Sequence, residues 1–377
     1  MPSILSPEKR RLRLTGPVAL AAIAAVLVGG VMAVRAMKPA AGDDRLRREA
    51  WSNTMLWNAV VTDASGIYAS GPRWAGNAGL QLARVKEGKA TAFPNAAWNS
   101  WKPGQDAAGK FVNVNALHPD GRGGLWAVDS GSPSFGGDPL PGGAKMVHIA
   151  LATGKILQVV HFPPEVAKPG SYVDDVRFHG DHAYLTDAGN PGLIVHDMRT
   201  GRARRVLDND KSTVAPADRP IIVDGKILRG PDGAPLKVQS DPMELSPDGA
   251  WLYFGPLPGP WSKVPTRVLD DASLSPEQVS AAVEPFADLP PMGGSTIDAD
   301  GSLYFSDLKA NAIRKRWPDG RITTLIEDPR LHWVDAMFID ARGRLWMPAA
   351  QVDRVALFQG GKSRVEWPVA LYSYPLR

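Results

Sequence analysis

The stretch "NALHPDGRGGLWAVDSG", residues 115–131, decides the fold because its pattern returns along the chain. It joins a polar turn to a short strand-like run that contains an aromatic residue. The related phrases are "VTDASGIYAS" at 61–70, "RFHGDHAYLTDAG" at 177–189, "LSPDGAWLYFGP" at 245–256, "IDADGSLYFSD" at 297–307 and "IDARGRLWMPA" at 339–349. Six copies predict a protein built from six similar units.

The spacing of the phrases indicates the size of each unit. Their aromatic residues are Tyr68, Trp126, Tyr184, Tyr253, Tyr304 and Trp346, at intervals of 58, 58, 69, 51 and 42 residues. Each interval accommodates about four short strands, the size of a propeller blade. A TIM barrel would need eight helices, whereas beyond the leader only a short one is indicated at 275–286, with Ser275 as N-cap and Pro276 first.

The sequence therefore predicts an all-β fold, a six-bladed β-propeller over residues 51–377. Each phrase is expected to form the turn between the innermost strand of a blade and the next strand outward. The aromatic residue of the phrase is expected to pack between blades as part of the core.

The N-terminal segment differs from the rest in charge and hydropathy. Residues 1–48 hold nine of the 43 basic residues and three of the 39 acidic ones, so the remainder carries a formal charge of −2. The body therefore shows no nucleic-acid footprint. Residues 17–34, "PVALAAIAAVLVGGVMAV", are uncharged and follow a basic stretch. We expect a signal peptide or signal-anchor helix over 1–36 and a linker over 37–50.

Both fates of that segment, cleavage and retention, remain open. Either places the propeller outside the cytoplasm, periplasmic or secreted, with membrane contact only through the N-terminal helix. The chain contains no cysteine, which excludes disulfides and thiolate chemistry. It also lacks the G-x-S-x-G, phosphate-loop and H-E-x-x-H motifs.

One polar residue per unit is predicted to face the central channel. Counting five residues back from the start of each turn gives Asn58, Asn113, Asp174, Asp241, Gly293 and Asp335. Five of these six carry a carboxylate or an amide, and oxygen ligands of this kind suit a divalent cation such as Ca²⁺, Mg²⁺, Mn²⁺ or Zn²⁺. The alternative is that these groups only bind ordered water.

Other polar residues lie close to this ring. Asn115, Asp175 and Glu244 are predicted to hydrogen-bond its members or a substrate. His332 and Trp333 precede Asp335 in "RLHWVDAM", near the expected channel mouth. His332 is a candidate acid or base, or else a structural loop histidine.

Several phrases together resemble the Yellow / major royal jelly protein family. They are "GPRW" at 71–74, the phrase at 115–131, "YLTDAGNPGLIVHDM" at 184–198, "MELSPDGAWLYFGPLPG" at 243–259 and "DADGSLYFSDLKANAIRKRW" at 298–317. The resemblance covers about residues 51–360. It implies a secreted six-bladed propeller with a small-molecule site in the channel, in a family linked to dopachrome conversion and to amine binding without turnover.

A more distant similarity is to the gluconolactonase / senescence marker protein family, which is metal-dependent. "DAMFIDARGRLWMPA" at 335–349 resembles its last metal-binding strand and puts Asp335 on a ligand aspartate. Asp241 takes the position of a ligand asparagine, and Asn113 matches another amide ligand. The first-blade glutamate of that family is replaced by Asn58.

Two functions therefore stand side by side. In the first, an ion held by Asn58, Asn113, Asp241 and Asp335 polarises a lactone or quinone-like oxygen, and Asp174 or Asp335 moves the proton. In the second, the carboxylates bind an amine or a phenolic metabolite without turnover, and Trp74, Trp261 or Trp333 supplies an aromatic wall. A protein-interaction propeller is the third reading, because fold does not fix function.

Overall fold

The computed structural model describes residues 43–77, 79–86 and 89–377. The predicted signal or anchor segment, 1–36, lies outside the described residues. Among the residues described, no helix has both the length and the apolar character needed to cross a membrane.

The described chain forms six four-stranded antiparallel sheets and a small hairpin. The first strand, β1 (Arg47–Ser52), belongs to the last sheet. The first blade contains β2 (Val60–Asp63), β3 (Gly66–Ser70), β4 (Leu82–Lys86) and β5 (Lys89–Ala92). The second contains β6 (Val114–Pro119), β7 (Gly124–Asp129), β8 (Lys145–Ala150) and β9 (Ile156–His161). The third contains β10 (Val173–His179), β11 (His182–Asp187), β12 (Gly192–Asp197) and β13 (Ala203–Val206).

A hairpin, β14 (Ile222–Val223) and β15 (Lys226–Ile227), lies between the third and fourth blades in sequence. The fourth blade contains β16 (Ser240–Leu245), β17 (Trp251–Pro256), β18 (Trp261–Pro265) and β19 (Glu284–Ala287). The fifth contains β20 (Ser295–Ile297), β21 (Leu303–Asp307), β22 (Ala312–Arg316) and β23 (Ile322–Glu327). The sixth contains β24 (Phe338–Ile339), β25 (Arg344–Pro348), β26 (Val369–Pro375) and β1.

The helices are short. Two α-helices, α1 (Thr266–Asp270) and α2 (Pro276–Ala281), join β18 to β19. Helix α2 begins as the sequence predicts, because Ser275 accepts a hydrogen bond from the Gln278 backbone and Pro276 occupies the first turn. Helix α1 was not predicted, and its five residues carry no side-chain cap. The 3-10 turns are Arg73–Ala75, Val352–Arg354 and Ala356–Phe358.

The ring closes where the two ends of the described chain meet. Strand β1 pairs antiparallel with β26, with Arg47 opposite Ser373 and Ser52 opposite Val369. The propeller therefore begins at Arg47, inside the stretch 37–50 that we expected to be a linker. The sequence pattern does not reveal this strand because it pairs with the other end of the chain.

Four of the six phrase aromatics are buried in the core as expected, and Tyr253 and Trp346 are partly buried against it. Tyr68, Tyr184 and Tyr304 are at most 2% exposed, and burial of a side chain of this size stabilises a fold by roughly 1.5–3 kcal/mol. The Tyr68 hydroxyl donates to the Leu151 carbonyl of the second blade, and the Tyr184 hydroxyl donates to Asp270 of the fourth. These bonds lock neighbouring blades together, and the predicted all-β six-bladed propeller is confirmed.

Candidate functional site

The central channel contains a cavity of about 320 Å³. All six blades contribute to its wall, through residues at or just before their innermost strands. These are Asn58, Asn115, Asp174, Asp175, Asp241, Gly293, Gly294, Ser295, Asp335 and Ala336. This is the place at which the sequence predicts a small-molecule site.

Strand pairing identifies one equivalent residue in each blade. In every blade the phrase aromatic pairs with a residue of the innermost strand, such as Arg177 opposite Tyr184. Three positions before those partners lie Asn58, Asn115, Asp174, Asp241, Gly293 and Asp335, which we call the polar row. Five of these six match the predicted ring.

The second blade differs from the prediction, because Asn115 and not Asn113 belongs to the polar row. The count from the turn began at His118, but β6 continues to Pro119, so the count started two residues too early. Asn113 is buried outside the cavity wall. Its side-chain oxygen accepts from the Arg73 backbone N–H at 2.7 Å, and its amide donates to the Ser130 hydroxyl at 2.9 Å.

Three members of the polar row lie at β-bulges. The register of the innermost strand shifts between Val114 and Leu117, between Val173 and Val176, and between Ser240 and Met243. Asn115, Asp174 and Asp241 are the first residues inside these shifts. A bulge bends a strand and re-aims its side chains, so a repeated bulge explains why the same position faces the channel in three consecutive blades.

Aspartates at the ends of second strands fix the chain just before the polar row. Asp129 accepts from the backbone N–H groups of Val112 and Asn113, and Asp187 accepts from that of Tyr172. Lys145 and Arg205 neutralise these two carboxylates at 2.9 and 2.7 Å. The entry to β6 and β10 is therefore held by charge-assisted hydrogen bonds.

The polar row is connected by side-chain hydrogen bonds. Asn58 donates to the side-chain oxygen of Asn115 at 2.9 Å, and Asn115 in turn donates to Asp174. The Tyr172 hydroxyl also donates to Asn115, at 3.0 Å, and accepts from the Trp74 indole at 2.8 Å. The wall residues Trp74 and Tyr172 thereby help to fix the orientation of the Asn115 side chain in the row.

The carboxyl groups of the row have raised pKa values. Burial is the main reason that the pKa of Asp174 lies well above its ordinary value, and the Asp241 carboxyl adds to the effect. Burial raises the pKa of Asp241 from 3.8 to about 7. A side-chain hydrogen bond between Asp174 and Asp241 raises the pKa of Asp174 and lowers that of Asp241. Asp174 is 5% exposed, whereas Asp241 keeps some surface open to the cavity.

Asp335 stands apart from this pair. Its carboxylate accepts from the Trp333 indole at 3.2 Å and from the Ala336 backbone at 3.0 Å. Burial, followed by the charge of Asp241, raises its pKa well above the ordinary value. Within the described residues, Asp174, Asp241 and Asp335 do not bring one oxygen each to within 4.8 Å of the others.

Gly293 explains why the row has a gap in the fifth blade. A Cβ atom there would lie 2.5 Å from the Val334 carbonyl oxygen and 2.9 Å from the Trp333 indole nitrogen. Trp333 itself adopts a left-handed backbone conformation, with φ of 49°, which costs a non-glycine residue roughly 1–3 kcal/mol. Glycine at 293 is thus required for Trp333 to reach Asp335.

Asp175 and Glu244 belong to a second layer that contains a cation. Arg177 donates to Asp175 at 2.7 Å and to both oxygens of Glu244 at 2.9 and 3.0 Å. Ser295 donates to Glu244 at 2.8 Å. We call Asp175, Arg177 and Glu244 the ionic layer; Asp175 borders the cavity, whereas Glu244 does not.

Two further predicted residues lie elsewhere. His332 is buried outside the cavity wall, with Nε2 at 2.8 Å from Asp353 Oδ1. Trp261 packs between the fourth and fifth blades, with Leu289 and Phe305. Of the three tryptophans expected to line the site, Trp74 and Trp333 do so.

The roof of the cavity was not predicted. It is formed largely by apolar side chains from loops and 3-10 turns, namely Phe135, Leu236, Val238, Val352 and Phe358. Phe135 and Phe358 both contact the Trp74 ring edge-on, at 5.2 and 6.1 Å between ring centroids. These residues lie outside the repeated phrases, so no periodic signal marks them. Tyr172 could have been found from sequence, because it lies only two residues before the predicted ring member Asp174.

Comparison with solved structures shows the same kind of fold. The luciferin-regenerating enzyme shares 11% identity with a TM-score of 0.50, over 85% of this chain and 91% of that one. A gluconolactonase from Xanthomonas campestris shares 14% identity over 87% and 98%, with a TM-score of 0.47. A virginiamycin B lyase from Staphylococcus aureus shares 15% identity over 88% of each chain, also at 0.47.

A search of curated proteins finds no match. The family model described as Major royal jelly protein matches residues 112–369, more than half of the sequence, and these residues include five members of the polar row. The chain belongs to the major royal jelly protein family.

Proposed function

We propose that the channel cavity is the active site of an enzyme that acts on a small carbonyl compound, a lactone or an oxidised catechol, with the help of a divalent cation at Asp174 and Asp241. One observation carries the proposal: these two carboxyl groups share a cavity wall with Asp335, and no basic side chain forms an ion pair with any of them among the described residues. Membership of the family supports a propeller of the hydrolase-like or ligand-binding kind.

The donor set fits a hard cation. Two carboxylates balance the charge of one divalent ion. The side-chain oxygen of Asn58 adds a neutral ligand in the same row, whereas that of Asn115 already accepts from Asn58 and Tyr172. Oxygen-only donors favour Ca²⁺, Mg²⁺ or Mn²⁺ over Zn²⁺. A monovalent amine would leave one carboxyl of the pair protonated. A divalent ion would instead displace that proton and use both carboxylates, and when bound it would polarise a carbonyl oxygen as a Lewis acid.

Asp335 is suited to move a proton. Its raised pKa keeps a proton on the carboxyl nearer to neutral pH than for an ordinary aspartate, as a general acid requires. The Trp333 indole and the Ala336 N–H fix the orientation of the group. Asp335 would then exchange a proton with a substrate oxygen or carbon.

The wall limits the size and character of the substrate. Aromatic and aliphatic side chains surround the polar row on the roof side. The volume of about 320 Å³ lies at the lower end of the roughly 300–1,000 Å³ found for small-molecule sites. A single-ring or fused two-ring compound is the expected size.

The test measures metal and turnover together in the full chain. Metal content, thermal stabilisation by Ca²⁺, Mg²⁺, Mn²⁺ and Zn²⁺, and turnover of lactones and dopachrome-like compounds are compared for the natural sequence and Asp241→Asn. We expect a bound ion and chelator-sensitive turnover, both lost in the variant. Turnover that survives chelation, or the absence of any bound ion, would overturn the proposal.

A non-catalytic binder of amines or phenolic metabolites is the second candidate. It is favoured by the aromatic cluster of Trp74, Phe135, Tyr172 and Phe358, which lies on the same cavity as the carboxylates. Aromatic faces and carboxylates together attract organic cations. Saturable binding of an aromatic amine that is indifferent to chelator, without turnover, would favour this reading.

We also propose that the propeller acts outside the cytoplasm. The support is the basic stretch that precedes the apolar residues 17–34. Fractionation of cells that express the full chain tests this. Recovery of the protein in the cytoplasmic fraction would contradict it.

A further inference from the structure

We propose a second cation site outside the channel, formed by Asp224, His332 and Asp353, for a transition-metal ion such as Zn²⁺. Asp224 lies in the turn of the β14–β15 hairpin, His332 precedes the sixth blade, and Asp353 lies in the 3-10 turn Val352–Arg354. One ligand atom from each residue lies within 4.8 Å of the other two. In the part of the chain that the structure describes, this is the one such group of three.

The His332 ring supplies the second observation. Its side chain is 5% exposed, and its Nε2 is hydrogen-bonded to Asp353 at 2.8 Å. Its Nδ1 faces Asp224 Oδ2 at 4.0 Å, too long for a hydrogen bond. Over residues 43–77, 79–86 and 89–377, Nδ1 has no hydrogen-bond partner. With Nε2 held by Asp353, Nδ1 is the ring nitrogen left to bind an ion, on the side where Asp224 lies.

Nδ1 and Oδ2 lie slightly farther apart than two ligands of one tetrahedral ion, and rotation of the half-exposed Asp224 side chain would close the difference. Zinc binds nitrogen and carboxylate oxygen at about 2.0–2.2 Å, so 4.0 Å is within the span of the two bonds. Asp353 would hold the opposite ring nitrogen, as carboxylates do for metal-bound histidines. A mixed nitrogen and oxygen set favours Zn²⁺, whereas the polar row offers oxygen alone.

The surroundings allow an ion to enter and to complete its coordination with water. A cavity of about 360 Å³ borders Asp224 and Asp353. The nearby Arg354 is engaged by Glu366 at 3.1 Å and by Gln351 at 3.0 Å. The two aspartates therefore remain available to balance the charge of a divalent ion.

Binding at this site would act on the roof of the channel. The hairpin leads into Leu236 and Val238, and the segment that carries Asp353 also carries Val352 and Phe358. All four of these apolar residues line the channel cavity. An ion joining Asp224 to His332, whose other ring nitrogen is held by Asp353, would tie the two halves of the roof together without touching a substrate.

The experiment titrates metal-free full chain with Co²⁺, using its absorption spectrum and equilibrium dialysis. Asp224→Asn is the test variant, since the side chain is 52% exposed and asparagine also tolerates the left-handed conformation of this turn residue. Asp232→Asn, in the loop that follows the hairpin, is the matched control. We expect Asp224→Asn to lose one bound Co²⁺, Asp353→Asn to bind it about 10–100-fold more weakly, and Asp232→Asn to behave like the natural sequence.

Limited proteolysis at 222–239 supplies a second readout: Co²⁺ or Zn²⁺ should protect the natural sequence but not Asp224→Asn. Identical Co²⁺ stoichiometry and affinity in the natural sequence and Asp224→Asn would overturn this inference. Asp241→Asn separates it from the proposed function, because that variant should lose only the channel ion. If Co²⁺ binding is lost in Asp241→Asn and kept in Asp224→Asn, the ion belongs to the channel and this inference is wrong.

Discussion

The polar row and the ionic layer place consecutive aspartates in opposite situations. Asp174 faces Asn115 and Asp241 without a cation, and its pKa is raised by burial. Asp175 accepts from Arg177 at 2.7 Å. Side chains in the polar row and in the ionic layer are buried to a similar extent. The two layers differ in that only the ionic layer contains a guanidinium group, that of Arg177. The ionic layer is therefore part of what holds the channel together, whereas the row weakens the fold and is expected to be kept for ligand binding.

The largest effect is expected when the Arg177 guanidinium is removed from the ionic layer. Arg177→Met should leave Asp175 and Glu244 as buried, unpaired charges and lower the free energy of unfolding by about 3–5 kcal/mol. Urea unfolding measures the change. Arg199→Met is the control, because Arg199 is 71% exposed and lies 3.8 Å from Asp197; such an exposed pair contributes little to stability. Equal losses in the two variants would contradict the role given to the ionic layer.

The same substitution at the two neighbouring positions sharpens the contrast. Asp175→Asn should destabilise the metal-free protein by about 1–3 kcal/mol, because Arg177 loses a charged partner. Asp174→Asn should leave stability unchanged or raise it, since no cation loses a partner and a costly buried carboxyl is removed. Thermal unfolding of both variants at neutral pH provides the comparison. A loss at Asp174 as large as that at Asp175 would remove the distinction.

The polar row should also affect how the stability of the folded protein depends on pH. Below pH 3.8, Asp241 is protonated in both the folded and the unfolded chain. Between 3.8 and about 7 the unfolded chain has released a proton that folded Asp241 retains, so stability should fall as pH rises. Above about 7 the penalty is constant. Melting curves of the metal-free protein and Asp241→Asn at a series of pH values test this.

The relevant quantity is the difference in melting temperature between the natural sequence and Asp241→Asn at each pH. Buried histidines act in the opposite direction, because burial lowers the pKa of His118 to about 3 and also lowers that of His196. Their contribution is lost as pH falls and is common to both proteins. Parallel melting curves for the natural sequence and Asp241→Asn would show that Asp241 titrates normally.

The smallest expected effect concerns the wall that supports Asp335. Trp333→Phe keeps an aromatic ring but removes the N–H that lies 3.2 Å from the Asp335 carboxylate, a bond contributing roughly 0.5–1.5 kcal/mol. The pKa of Asp335 should rise further, so the pH profile of turnover or ligand binding should move upward. An unchanged profile with a lower melting temperature would mean that Trp333 only packs.

The sequence was informative where the structure repeats. Phrase counting predicts the six blades, and a fixed offset finds Asn58, Asp174, Asp241 and Asp335, because equivalent strand positions face the channel. It misses Asn115 in the row, since the length of β6 is set by pairing with β7 and not by the turn signal. His332 could not be placed from sequence, because its partners Asp353 and Asp224 lie in segments without a repeat.

The pairing of β1 with β26 gives the propeller a seam between the start and the end of the described chain. A chain made from its N-terminus must hold β1 ready until Val369–Pro375 has emerged. The seam completes the sixth blade, whose innermost strand follows Asp335. Its formation pairs residues that are far apart in sequence, and such pairing is slow. The ligand site therefore cannot be complete before Val369–Pro375 has been made, so chains truncated before this strand would lack a functional channel as well as a strand.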